Sequence, residues 1–161
     1  MISSNFPTMS LSSVSSITSA ALENADIVWL GTASGNTSAI SPLSAQEQQA
    51  LASFIAGGGT AFLFADNDSF SPGAAVANTS LMAPVGATVS GTISGGVAHV
   101  ITDTSGFPFS GPIGQVLSLS SGFPGWFTSL PSSAQILTTL SSNNAAMMAN
   151  SPIGGLSQGS G

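Results

Sequence analysis

The chain has 161 residues, 42% of them apolar, with a mean hydropathy of +0.43 and a formal charge of −6. It holds no Lys, no Arg and no Cys, and its charged groups are Glu23, Asp26, Glu47, Asp66, Asp68 and Asp103. This excludes nucleic acid as a partner, because displacing counterions from a phosphate backbone needs cationic side chains. It equally excludes a P-loop, which lacks its lysine here, attraction to anionic lipid, and any disulfide, thiolate–metal or cysteine-nucleophile chemistry.

The length suits one domain, 1–161, with a core of its own. The first ten residues, MISSNFPTMS, have neither the basic start nor the apolar run of a signal peptide. Ala50–Ala65, the longest uncharged apolar stretch, is interrupted by Gly57-Gly58-Gly59 and is too short to cross a bilayer. No membrane insertion is expected. A Ser/Thr-rich, basic-poor, cysteine-free composition leans toward bacterial export, secreted or at the cell surface.

In chain order, a short strand is expected near Thr8–Val14 and a short helix over Ile17–Asn24. Ile27–Leu30 (IVWL) is a continuous apolar run, the mark of a strand buried on both faces, and places Trp29 in the core. After Gly31 and a polar loop, Ser44-Ala45-Gln46-Glu47 fits a capping box, with Glu47 reaching back to the cap. Leu51, Phe54 and Ile55 then share one helical face. Gly57-Gly58-Gly59 stops the helix and supplies positive φ, and Thr60–Ala65 is the next buried strand. A short connection through a helix predicts a parallel pair. This βαβ unit, residues 26–65, is the centre of the predicted fold.

Beyond Asp68 the texture loosens. Residues 69–86 read as a long loop with one turn of helix near Ala74–Asn78. Ala87–Ile93 reads as a strand, with Val97–Ile101 pairing beside it. Gly106–Gly114 is a Pro/Gly loop, Gln115–Leu119 a strand, and Gly122–Phe127 (GFPGWF) an aromatic loop. Ala134–Leu140 is a strand of good alternation, followed by a turn at Asn143-Asn144 and a strand over Ala145–Ala149. The fold class expected is α/β, with a parallel-sheet core and a β-rich second half.

The segment Ala25–Leu30, the helix Ala45–Ala56 and the glycines before Ala61–Phe64 resemble the class I glutamine-amidotransferase-like superfamily. Residues 98–140, with His99, Thr102-Asp103 and Gly111-Pro112-Ile113-Gly114, resemble the later part of such domains in exported bacterial proteins. The resemblance covers roughly residues 20–160 and implies a flavodoxin-like core. In the enzymes of that superfamily a nucleophilic cysteine follows the strand matching Ala61–Phe64. Here that turn is Ala65-Asp66-Asn67-Asp68, so glutaminase and cysteine-hydrolase chemistry is absent. The superfamily also carries a leading and a closing strand, which this sequence does not display, so either an internal piece of a larger domain or a divergent member cut short at both ends is expected.

Three sets of residues are candidate sites. Asp66, Asn67 and Asp68 stand at the carboxyl end of a parallel strand, where open α/β sheets bind ligands. Two carboxylates and an amide suit Ca²⁺ or Mg²⁺, and equally suit an Asx turn with no ion. His99, the only histidine, has Asp103 four residues on, which suggests hydrolase chemistry. No G-x-S-x-G elbow accompanies it, and TASGN at Ser34 and LSSGF at Ser121 both fail that pattern. The plainer reading is a structural histidine bonded to backbone. Trp126, with Phe107, Phe109, Phe123 and Phe127, offers either a glycan-stacking surface or a packing anchor under a loop. Asn36-Thr37-Ser38 and Asn78-Thr79-Ser80 match the glycosylation pattern. The function expected is a non-catalytic scaffold or ligand-binding domain of a larger exported protein, with other domains of the same polypeptide, a glycan or a small ligand as partner. No cofactor is expected. The alternatives are an enzyme using Asp66, Asp68 and His99, and a carbohydrate-binding module using residues 122–127.

Overall fold

The computed structural model describes residues 10–31, 41–69, 72–91, 97–101, 110–111, 114–115, 118–122, 124–140 and 145–150. It is an α/β protein: among the described residues three α-helices and ten strands alternate in the first half and give way to strands in the second.

Helix α1 is short, Ser19–Leu22, and Thr18 caps it by accepting the Ala21 N–H at 3.1 Å. Strand β1 (Ile27–Gly31) and strand β2 (Thr60–Phe64) run parallel in register from Ile27↔Thr60 to Gly31↔Phe64. Helix α2 (Ala45–Ala56) joins them. The capping box forms: Ser44 Oγ accepts the Glu47 N–H at 3.3 Å, and Glu47 Oε2 accepts the Ser44 N–H at 2.9 Å. Gly58, with φ 97°, takes the left-handed turn that ends the helix, a conformation costly for a side chain with a Cβ.

Alternation along the two strands decides what is covered. Leu51 of α2, fully buried, packs with Ile17, Leu22 and Ala50 against Val28, Leu30, Ala61 and Leu63. Helix α3 (Ala74–Met82) adds Leu81 and Met82 against Leu30 and Leu63. Successive strand residues point to opposite faces. Both helices meet Leu30 and Leu63, so both lie on one face of the pair. Ile27, Trp29 and Phe64 lie on the other face and are exposed, Trp29 at 64%. The expectation of strands buried on both faces, with Trp29 in the core, is therefore corrected. A continuous apolar run has the same appearance whether helices cover one face or two. Trp29 stacks on Phe64 at a centroid distance of 4.6 Å and tilts against Phe62 at 5.4 Å.

The single helical turn expected near Ala74–Asn78 is longer, α3 over Ala74–Met82, entered from Gly73 at φ 86°. Strand β3 (Thr88–Ser90) pairs antiparallel with β8 (Trp126–Ser129), not with Val97–Ile101. Strand β4 (Val97–Ile101) belongs to a four-stranded sheet that includes β7 (Leu119–Ser121), β9 (Ala134–Leu140) and β10 (Ala145–Asn150), in the order β10-β9-β4-β7. Its described neighbour pairs are antiparallel. Within the expected Pro/Gly loop and just beyond it, β5 (Ser110–Gly111) and β6 (Gly114–Gln115) form a two-residue ladder. No strand forms over residues 10–14, while Thr8, Met9 and the turn at Asn143-Asn144 lie outside the described residues. Among the described residues no helix is long and apolar enough to cross a membrane.

Candidate functional site

Asp66, Asn67 and Asp68 follow β2 directly, and the fold builds a closed hydrogen-bond system around them. Asn78, fully buried on α3, accepts the Asp66 N–H at 3.1 Å through Oδ1. Its Nδ2 donates to Asp66 O at 2.7 Å and to Asp68 Oδ1 at 3.3 Å. Asp66 Oδ1 accepts from Asn67 N at 2.7 Å and from Asn67 Nδ2 at 3.1 Å. Asn67 Oδ1 accepts the Ser69 N–H at 3.0 Å, which is an Asx turn. Asp68 Oδ2 accepts the Gly91 N–H at 2.7 Å and the Ser90 hydroxyl at 3.1 Å, and the Asp68 N–H donates to Gly91 O at 3.2 Å. Asp68 thus ties the end of β2 to the end of β3.

The aromatic segment meets this loop. A Cβ at Gly125 would lie 3.1 Å from Ser90 O, 3.2 Å from Gly91 O and 3.6 Å from Asp66 O, so the two backbones are nearly in contact. Half-buried Trp126 lays its indole over Gly91, at a place where a Cβ would collide with the ring. Trp126, distant in sequence from Asp66, Asn67 and Asp68, therefore converges with them on one corner. The donors around Asp68 are backbone and hydroxyl groups directed at its two oxygens, an arrangement that holds a carboxylate without an ion. Among the described residues no group of three or more His, Cys, Asp or Glu side chains could hold a metal. Asn78 is buried inside α3, so its glycosylation pattern is closed to modification in the folded chain; Asn36 lies outside the described residues.

His99 stands apart from that corner, on β4 within the four-stranded sheet. Its ring nitrogens meet two hydroxyls: Nδ1 lies 3.1 Å from Thr138 Oγ1 and Nε2 lies 2.8 Å from Ser121 Oγ. The side chain is bonded to neighbouring strands rather than to backbone. Burial lowers its pKa below the ordinary value and keeps the ring neutral at pH 7. Asp103 lies outside the described residues. Sequence reading missed Thr138 and Asn78 as partners, because each acts across the fold; the one local sign was the spacing of Ala74, Ala77, Asn78 and Leu81 along one helical face.

Fold and corner together define an α/β protein whose strand-end loop is fixed by asparagine and aspartate side chains. No protein-family model matches the chain, and no curated protein or solved structure does either.

Proposed function

We propose that the chain is a scaffold domain of a larger, exported bacterial protein, built on an amidotransferase-like, flavodoxin-like core, with a binding role in place of glutaminase turnover. The observation that supports this is the exposed face of β1 and β2. Parallel strands in α/β domains are ordinarily covered on both faces, yet Ile27, Trp29 and Phe64 are at least 40% exposed. This face presents aromatic and aliphatic side chains, and the chain has no Lys or Arg to pair with a partner's acids. The occupant proposed is an uncharged apolar surface of a neighbouring domain in the same polypeptide. The absence of a cysteine from the Ala65–Asp68 turn fits a binding role.

Hydroxyl-radical footprinting read by mass spectrometry tests this on the whole encoded polypeptide and on the 161-residue chain alone. Trp29 should oxidise several-fold more slowly in the whole polypeptide, and half-buried Trp126 at the same rate in both. Equal oxidation of Trp29 in the two samples, or a reading frame containing nothing beyond this chain, overturns the proposal.

A further inference from the structure

We propose that Ser121 is a nucleophile assisted by His99, able to accept an acyl group from small activated esters. The register brings the necessary groups to one face of one sheet. His99 lies opposite Leu119 on β7 and opposite Leu140 on β9. Ser121 and Thr138 are each two residues from those partners, so both share the face of His99. Ser121 Oγ at 2.8 Å from Nε2 is within reach for transfer of its proton to the ring. Thr138 Oγ1, fully buried, is the partner of Nδ1 at 3.1 Å. In the tautomer with hydrogen on Nδ1, donated to Thr138, the Nε2 lone pair faces the Ser121 hydroxyl.

Access favours the reaction. Among the described residues strand β7 is at the edge of its sheet, Ser121 is its last residue and half-exposed, and Gly122 beyond it is exposed. A Cβ at Gly122 would meet nothing within 4 Å, so the backbone just past the nucleophile is uncovered. Burial of His99 agrees with a neutral ring, the form that acts as a base at pH 7.

In the step itself, Ser121 Oγ forms a bond to the ester carbonyl carbon while its proton passes to His99 Nε2. The carbon–oxygen bond to the leaving group then breaks, and Nε2 returns the proton to the departing oxygen. The products are an acyl-serine, an alcohol or phenol, and a neutral histidine. Thr138 is a positioning residue: it orients the ring but carries no charge to balance an imidazolium. The acyl-serine is therefore expected to form slowly and to persist, a single event that stands apart from the scaffold role and does not depend on it.

A fluorophosphonate probe and p-nitrophenyl acetate, each incubated with the folded chain and followed by intact-mass and peptide mapping, test the assignment. One adduct per chain at Ser121 is expected. It should be absent from Ser121→Ala, whose melting should match the parent, and at least about tenfold slower to form in His99→Gln. Thr138→Val should slow labelling, and Thr138→Ser should restore it, which a purely structural threonine would not require. Absence of an adduct at Ser121 in the parent chain, adducts spread evenly over many serines, or a parent-like labelling rate in His99→Gln overturns the proposal.

Discussion

Replacing Asn78 by alanine tests whether one buried amide holds the strand-end corner. The substitution removes the acceptor for the Asp66 N–H and the donor to Asp66 O and Asp68 Oδ1. A buried backbone group stripped of its partner costs about 1–3 kcal/mol. Asp66 is only half-buried, so water partly compensates, and the low end applies to both of its backbone groups. Alanine returns up to about 0.7 kcal/mol through its better helix propensity. The net loss is then about 1.3 kcal/mol, which for a domain of this size lowers Tm by roughly 3–5 °C. Circular dichroism melts of the parent, Asn78→Ala and Thr79→Ala provide the assay. Thr79 is exposed on the same helix and donates only to Ala75 O, so its replacement should cost no more than about 0.5 kcal/mol. A shift for Asn78→Ala no larger than that control would refute the reasoning, because the corner would then hold without its amide.

Two further substitutions follow from the same geometry. Gly91→Ala places a Cβ at φ 87° and against the Trp126 indole, so it combines about 1–2 kcal/mol of left-handed strain with about 1–3 kcal/mol of overpacking; urea unfolding should show the loss, with a changed near-ultraviolet spectrum from Trp126. Glu47 is held below the ordinary carboxylate value of 4.5 by the Ser44 N–H first, then the Ser44 hydroxyl and the Ile17 N–H. A depressed carboxyl pKa gives stability that is complete above pH 4.5 and lost as pH falls through the lower folded value. Glu47→Gln keeps an acceptor for the Ser44 N–H but loses the charge, so it should be less stable by about 0.3–1 kcal/mol at pH 7, the worth of an anion in the first helical turn. That gap to the parent should close on acidification, as read by Tm across a pH series.

What the sequence made legible was local. The Ser44–Glu47 capping box is written in four consecutive residues and forms as expected. Strand β9 has its expected bounds, Ala134–Leu140, because a seven-residue run of β-favouring residues leaves little alternative. Helix α3 was legible only as a single turn, for a physical reason. Its buried face, Ala74, Ala77, Asn78 and Leu81, has the right spacing but carries a polar residue at its centre, and its N-cap glycine contributes no side-chain bond. Pairings across the fold left no local mark. Strand β3 finds β8, bridged by Thr88 and Thr128 forty residues apart, and His99 finds Ser121 and Thr138 at separations of 22 and 39. The convergence of the acidic loop with Trp126 is of the same kind.

The two tryptophans show what decides their environments. Trp29 sits in a run of apolar residues that looks like core, and Trp126 in a Gly/Pro loop that looks like surface. In the fold Trp29 is the more exposed, because α2 and α3 both pack on the opposite face of β1 and β2. Trp126 is held because Gly91 has no Cβ to keep the indole away and Gly125 lets the backbone approach Asp66. Glycine placement and helix placement, rather than the residues flanking each indole, set the exposure. The consequence is energetic as well as geometric. Covering Trp29 and Phe64 from water would release on the order of 3–5 kcal/mol, comparable to a large fraction of the stability of a single domain. On the scaffold role proposed above, that value is what an apolar neighbouring domain would gain by covering this face.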